Sequence, residues 1–242
     1  MPYPKACFFL LLILLDFFCS IPAKCTPASS SECVVLLHGL ARTSASMNKM
    51  EKRLTEAGYA VINVDYPSRH KKIAELSEIA VNEGLRFCRE AEAKHIHFVT
   101  HSLGGILVRY YLSTREIPEL ERVVMLAPPN QGSRVVDKFS GYPGYGLLNG
   151  PAGNQLGTGA ESIPLRLGPA DFEVGIIAGD RTVNLILSTA FNEPNDGKVA
   201  VSEARLEGMA DFLIVHHSHP FIMQSDEVID QALHFLQHGF FK

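Results

Sequence analysis

Chemistry is most readily built in this chain at a serine set between an apolar run and a helical run. Ile96-His97-Phe98-Val99-Thr100 precedes His101-Ser102-Leu103-Gly104, and Gly105 to Leu112 follows. The order reads as strand, tight turn, serine, helix. Such a turn forces the serine into an unfavourable backbone conformation, so the residues two before and two after it must be small. Gly104 meets that demand, and Gly105 follows where the helix must pack close to the strand. Thr100 stands where glycine is more common, a mild departure from the pattern. The turn is expected to lift the Ser102 hydroxyl above a sheet edge and to aim the first helical N–H groups at a reacting atom.

A serine hydroxyl is a poor nucleophile at neutral pH. It needs a base within hydrogen-bond reach, a carboxylate behind that base, and N–H donors for the oxyanion. Val34-Val35-Leu36-Leu37 runs directly into His38-Gly39-Leu40. The Leu40 N–H is therefore expected to join that of Leu103 as an oxyanion hole. For the base, Phe212 to Val215 ends in His216-His217-Ser218-His219-Pro220. Three histidines raise the question of zinc, but no further ligand follows at a recognised spacing and no metal is expected. His219 is the expected base, stiffened by Pro220, with His216 and His217 at the strand end. Two acids follow the strand Glu173 to Ala178: Asp180, in Gly179-Asp180-Arg181, and Asp196, in Asn195-Asp196-Gly197-Lys198-Val199. Asp196 is preferred because Asp-Gly-x-Val sets a carboxylate on a tight turn leading back towards the site. Asp180 stays open as the alternative.

These groups need a frame. Apolar runs at Cys33–Leu37, Ala60–Val64, Ile96–Val99, Arg122–Leu126, Glu173–Ala178 and Phe212–Val215 read as strands. Between and after them, Ala45–Ala57, Ile73–Ala93, the stretch after Ser102 and Ser225–His238 carry apolar residues at helical spacing. Short apolar strands separated by helices predict an α/β fold with a mostly parallel central sheet and helices on both faces. In such sheets ligands bind beyond the carboxyl ends of the strands, where every candidate above falls. Phe139 to Gly159 holds seven glycines and two prolines. It reads as a Gly-rich cover loop over that edge, with Tyr142, Tyr145, Leu147 and Leu148 as expected contacts for an apolar acyl group; a plain surface loop is the other reading.

Composition sets the outer bounds. At 242 residues, 46% hydrophobic and 20% charged, the chain suits one well-cored domain rather than a disordered segment. A formal charge of −4 gives no electrostatic reason to expect nucleic acid. No phosphate-binding loop, dinucleotide fingerprint or repeat is visible. Lys5 followed by the apolar run Ala6–Leu15, then small residues up to Ala23, has the layout of a secretory signal peptide over residues 1–23. An uncleaved anchor with membrane association through the same run is the alternative. A polar spacer covers residues 24–31 and the folded domain is expected over residues 32–242. Cleavage after Ala23 would leave Cys25, Cys33 and Cys88, an odd count. One bridge can form, but Cys33 and Cys88 are expected to be buried apolar residues.

Val34–Leu40, Thr100–Gly105, Leu126-Ala127-Pro128-Pro129-Asn130-Gln131-Gly132-Ser133, Asp196–Val199 and His219 together resemble the α/β-hydrolase superfamily. The likeness is to small bacterial lipases and esterases and to lipase-like domains of the GPI-inositol deacylase type. It spans residues 32 to 240. The resemblance implies a minimal α/β-hydrolase fold and a serine hydrolase of carboxylic esters working through an acyl-enzyme. The order Ser102, Asp196, His219 matches the nucleophile–acid–base order of that superfamily. It implies no cofactor; the apolar candidates above point to a small-molecule ester or lipid substrate, and the leader to an exported protein. Some such lipases hold a structural calcium, but no residue here carries that over. An acyltransferase or thioesterase on the same scaffold, and a non-catalytic envelope-associated binding protein, are the alternative readings.

Overall fold

The structure, a computed structural model, describes residues 31–242 together with Met1. The rest of the expected leader, the spacer up to residue 30, and Cys25 lie outside the described residues. In chain order the elements are β1 (Glu32–Leu37), α1 (Asn48–Glu56), β2 (Ala60–Val64), α2 (Ile73–Glu90), β3 (His95–His101), α3 (Leu103–Leu112) and β4 (Leu120–Leu126). Then come α4 (Arg134–Phe139), α5 (Tyr145–Asn154), α6 (Ile163–Arg166), β5 (Val174–Gly179), α7 (Leu185–Ser188), α8 (Val201–Ala204), β6 (Asp211–Val215) and α9 (Asp226–His238). The strands form one sheet in the order β2-β1-β3-β4-β5-β6. Every pairing in it is parallel. Helical crossovers impose that arrangement, because a parallel neighbour cannot be reached through a tight turn.

The strand sequences are continuous apolar runs because both sheet faces are covered. Along β1 the side chains alternate: Cys33, Val35 and Leu37 join the core built with α2 and α3. Val34 and Leu36 join the one built with α1 and α9. In α2 the buried set Ile73, Leu76, Ala80, Val81, Leu85 and Cys88 follows the helical period that the sequence displays. Strand boundaries fall within a residue or two of the sequence expectation.

Two expectations need correction. Cys33 and Cys88 are fully buried, as expected of apolar residues, but their sulfurs are joined in a disulfide with the Cα atoms 5.6 Å apart. The bridge ties the start of β1 to the last turn of α2. The second correction concerns residues 139–159, which are not one open glycine loop. Much of the segment is helical, in the end of α4 and in α5, which kinks at Gly150 (φ 65°, ψ −173°). The kink brings Gly150 against the chain after β2: a Cβ there would fall 1.9 Å from the Arg69 carbonyl oxygen, so only glycine fits.

Candidate active site

β3 delivers Ser102 at its carboxyl end, one residue before α3 begins. Ser102 has φ 53° and ψ −116°, a left-handed conformation costly for a residue with a side chain. Packing holds it there. The Ser102 N–H donates to the Leu126 carbonyl of β4 at 2.9 Å. A Cβ on Gly104 would lie 2.6 Å from the Leu37 carbonyl oxygen, so the helix start can lie this close to the end of β1 only as glycine. This is the tight turn the sequence predicts.

His219 arrives from the loop after β6. Its Nε2 is 3.1 Å from Ser102 Oγ and its Nδ1 is 2.7 Å from Asp196 Oδ2. With Nδ1–H donating to the carboxylate, Nε2 is left to accept from the serine hydroxyl. All three residues are buried. Asp196 is held by its own turn: Oδ1 accepts from the N–H groups of Lys198 (2.9 Å) and Val199 (2.8 Å). The His219 N–H donates to the Asp196 carbonyl at 3.0 Å. The structure therefore brings Asp196, and not Asp180, to His219. Asp180 pairs with His216 at 2.8 Å. His217 bonds to Ser225 and Glu227 at 2.9 and 3.2 Å. The three histidines of the cluster thus serve three different partners.

Leu40 and Leu103 flank the serine. Leu103 is the first residue of α3, so its N–H has no intrahelical acceptor. The Leu40 N–H makes no hydrogen bond among the described residues, and Leu40 lines the same cavity as Ser102. The loop carrying Leu40 is fixed by residues to which the sequence reading gave no role. His38 is buried and stacked on Tyr66 with ring centroids 4.0 Å apart. Its Nδ1–H donates to the Gly39 carbonyl, its Nε2 accepts from the Tyr66 N–H, and the Tyr66 hydroxyl donates to the His38 carbonyl. Burial lowers the His38 pKa and raises that of Tyr66, so both stay neutral.

His101, noted only as part of the serine tetrapeptide, supports both sides of the site. Its Nε2–H donates to the His219 carbonyl at 3.1 Å. A Cβ on Gly39 would fall 2.6 Å from its Nδ1, so the Gly39 backbone closes over the ring. Burial, with the positive field of His219, Arg42 and Lys198, holds its pKa well below the usual histidine value.

A cavity of about 250 Å3 opens beside Ser102 and His219. Its apolar wall comes from Leu40, Val183, Leu187 and Pro220, with Arg42 and Lys198 among its polar residues. Tyr142, Tyr145 and Leu147 do not line it, contrary to the acyl-contact expectation. Tyr142 and Leu147 stand 63% and 87% exposed. Leu148 falls in the same helix, and its side chain lies outside the described residues. The Gly153 turn of α5 comes close to the site, 3.0 Å from Leu40 Cδ2 when a Cβ is placed there. The run Val183-Asn184-Leu185-Ile186-Leu187, which supplies the apolar wall instead, is the signal that the sequence reading passed over.

A strained serine ending the third strand, with a carboxylate and a histidine on loops at the same sheet edge, is the architecture of an α/β hydrolase. Solved structures superpose on it over most of their common length. Lipase BlEst2 of Bacillus licheniformis in its mature form is 19% identical with a TM-score of 0.66, over 84% of this chain and 91% of that one. Phospholipase PlaB of Legionella pneumophila is 16% identical (TM-score 0.71), over 85% of this chain and 60% of that one. Lipase B of Aspergillus fumigatus is 17% identical (TM-score 0.65), over 90% and 55%. The chain belongs to the palmitoyl protein thioesterase family, whose model matches residues 33–160, more than half of it. No curated protein matches the sequence. The family match contains Ser102 and ends before Asp196 and His219.

Proposed function

We propose that the protein is a serine hydrolase of carboxylic esters in which Ser102 is the nucleophile, His219 the base and Asp196 the orienting acid. The observation that carries this reading is the continuous line Asp196 Oδ2, His219 Nδ1, His219 Nε2, Ser102 Oγ, with spacings of 2.7 and 3.1 Å. His219 takes the hydroxyl proton as Ser102 Oγ attacks the acyl carbon. The Leu40 and Leu103 N–H groups hold the oxyanion, and loss of one such donor costs about 3 kcal/mol in sites of this type. Collapse of the tetrahedral intermediate expels the alcohol, protonated by His219. Water then adds to the acyl-enzyme with His219 as base and releases the acid and free Ser102.

A thioesterase is the second reading, favoured by the family match over residues 33–160. The same steps expel a thiol in place of an alcohol. We further propose that residues 32–242 act as one hydrolase domain behind an export leader; among the described residues no helix is long and apolar enough to cross a membrane. Parallel assays on p-nitrophenyl esters from acetate to palmitate and on acyl-thioesters of the same lengths separate the two activities. Higher kcat/KM on the oxygen esters supports the first reading, and the reverse supports the second. Turnover of neither class, or turnover surviving Ser102→Ala, overturns both.

A further inference from the structure

The cavity beside Ser102 carries two cations. Arg42 is half-buried and its guanidinium donates to the Pro220 carbonyl at 3.2 Å. Lys198 sits on the Asp196 turn, and among the described residues its ammonium makes no hydrogen bond or ion pair. Arg42 also forms part of the wall of a second hollow, about 450 Å3, together with Thr43, Ser46, Arg69 and Gln224. That hollow has no carboxylate in its lining, and Arg69 has no ion-pair partner among the described residues. Three cations thus run from the reacting serine to the outer hollow without a matched acid.

The lack of a matched acid is shared by buried Arg109, which is satisfied by carbonyl oxygens of Asn130, Pro164 and Gly168, whereas several other arginines are matched. Arg53 is paired with Asp226 and Asp230, Arg89 with Glu119, Arg122 with Glu173, and Arg134 with Glu193 and Glu203. The unmatched run does not follow from overall charge, since the chain carries 26 acidic against 22 basic residues. The carboxylates nearest in the sequence are committed elsewhere. Asp196 serves His219 and two backbone N–H groups. Asp65 accepts from the Ser44 N–H, and Asp180 pairs with His216. Partly buried cations without a countercharge, such as Arg42 and Lys198, are costly unless something anionic joins them, whereas Arg69 is exposed at the outer end. Arg42 also lowers the Lys198 pKa, behind burial as the main cause and opposed by Asp196, which places the two cations within each other's field.

We infer that Lys198, Arg42 and Arg69 form an anion subsite, and that the preferred ester carries a carboxylate or phosphate group a few bonds from the scissile carbonyl. The inference rests on the ester-hydrolase reading and adds the substrate class to it. Ionic hydrogen bonds to such a group would hold the carbonyl over Ser102 and fix which side of the ester enters first.

Two matched pairs test this and separate the sources of the anion. On the acyl side, p-nitrophenyl hemiglutarate is compared with p-nitrophenyl valerate, its neutral counterpart of equal chain length. On the alcohol side, 1-butyrylglycerol 3-phosphate is compared with 1-butyrylglycerol. The readout is the ratio of anionic to neutral kcat/KM, which a merely structural defect would not move. The expected ratio is at least about tenfold in one pair, the size of one or two charged hydrogen bonds. Lys198→Met is expected to lower that ratio about tenfold. Arg69→Gln is expected to lower it less, in keeping with its place in the outer hollow. Arg42→Gln is read only through the same ratio, because Arg42 also holds the carbonyl beside His219. A ratio near one in both pairs, with the neutral esters turned over, overturns the anion subsite and leaves the hydrolase reading standing. A high ratio unchanged in both Lys198→Met and Arg69→Gln also overturns it. If none of the four esters is hydrolysed, the hydrolase reading fails and the inference falls with it.

Discussion

The two sides of the site are held by different physics. On the nucleophile side, β1, β3 and the start of α3 meet through backbone: Gly104 lies against the Leu37 carbonyl and Gly39 against the His101 ring. No side chain fits at either glycine, and the strain at Ser102 is maintained by the close packing around it. On the acid–base side, hydrogen bonds position the groups. Asp196 is set by the Lys198 and Val199 N–H groups, and His219 by the Asp196 carbonyl and by His101. Steric exclusion is all-or-none, whereas a hydrogen-bonded turn responds by degrees. The first side should therefore break with a single methyl, and the second should lose rate while keeping its fold.

That contrast can be broken or sharpened. The largest effect is expected from Asp196→Asn: kcat falls by about 10^4, since the amide favours the wrong histidine tautomer, while the denaturation midpoint moves little. Asp180→Asn, which touches only His216, should stay within about twofold in the same assay. Next comes Gly104→Ala, on the steric side. Its added Cβ, 2.6 Å from a carbonyl oxygen, should lower unfolding stability by about 3 kcal/mol or more and abolish turnover together with it. Intact activity in that variant would remove the steric half of the comparison. Reduction of Cys33–Cys88, or Cys88→Ser, reopens a loop with a sequence separation of 55 residues. In the chain-entropy model this costs about 4 kcal/mol in urea melts. The pH–rate profile should not change, because the bridge lies in the body of the nucleophile side and touches neither acid nor base.

The smallest effect concerns acid stability. His97 is fully buried on β3, edge-on to the Tyr59 ring, and neither ring nitrogen has a hydrogen-bond partner among the described residues. Burial pulls its pKa down to about 4. The unfolded chain, titrating near 6.5, then binds more protons than the folded one in between. Stability is thus full above about pH 6.5 and declines as pH falls towards 4, by about 3 kcal/mol in all. Replacing His97 with Leu should flatten part of that acid limb, with the share due to buried His101 remaining. An unchanged slope between pH 6.5 and 4 would show that His97 takes up its proton equally in the folded and unfolded chain.

The same contrast explains what was legible beforehand. The strands, the serine turn and the His-Gly loop are readable because steric demands leave residue-type signatures: glycine where backbone approaches, apolar runs where both faces are buried. Asp196 was separable from Asp180 only through its Asp-Gly turn, since the choice depends on where two loops from distant strands converge. Glycine content in residues 139–159 suggests looseness, but glycine equally marks places where backbones meet. Gly150 there serves a close contact with Arg69, and the cavity wall is built by Val183 and Leu187. The sequence leaves the disulfide open as one bridge that can form, because burial alone accounts for Cys33 and Cys88. Their pairing is set by how α2 docks on β1, which no local pattern encodes.

The central claim is that Ser102 is activated through His219 by Asp196. A fluorophosphonate probe, with the labelled peptide mapped by mass spectrometry and the rate followed in wild type, Asp196→Asn and Asp180→Asn, tests it most directly. The account predicts a single label on Ser102, slowed at least about 100-fold in Asp196→Asn and unaltered in Asp180→Asn. Labelling of Ser102 at the same rate in Asp196→Asn, or no label on Ser102 in the wild type, would contradict it.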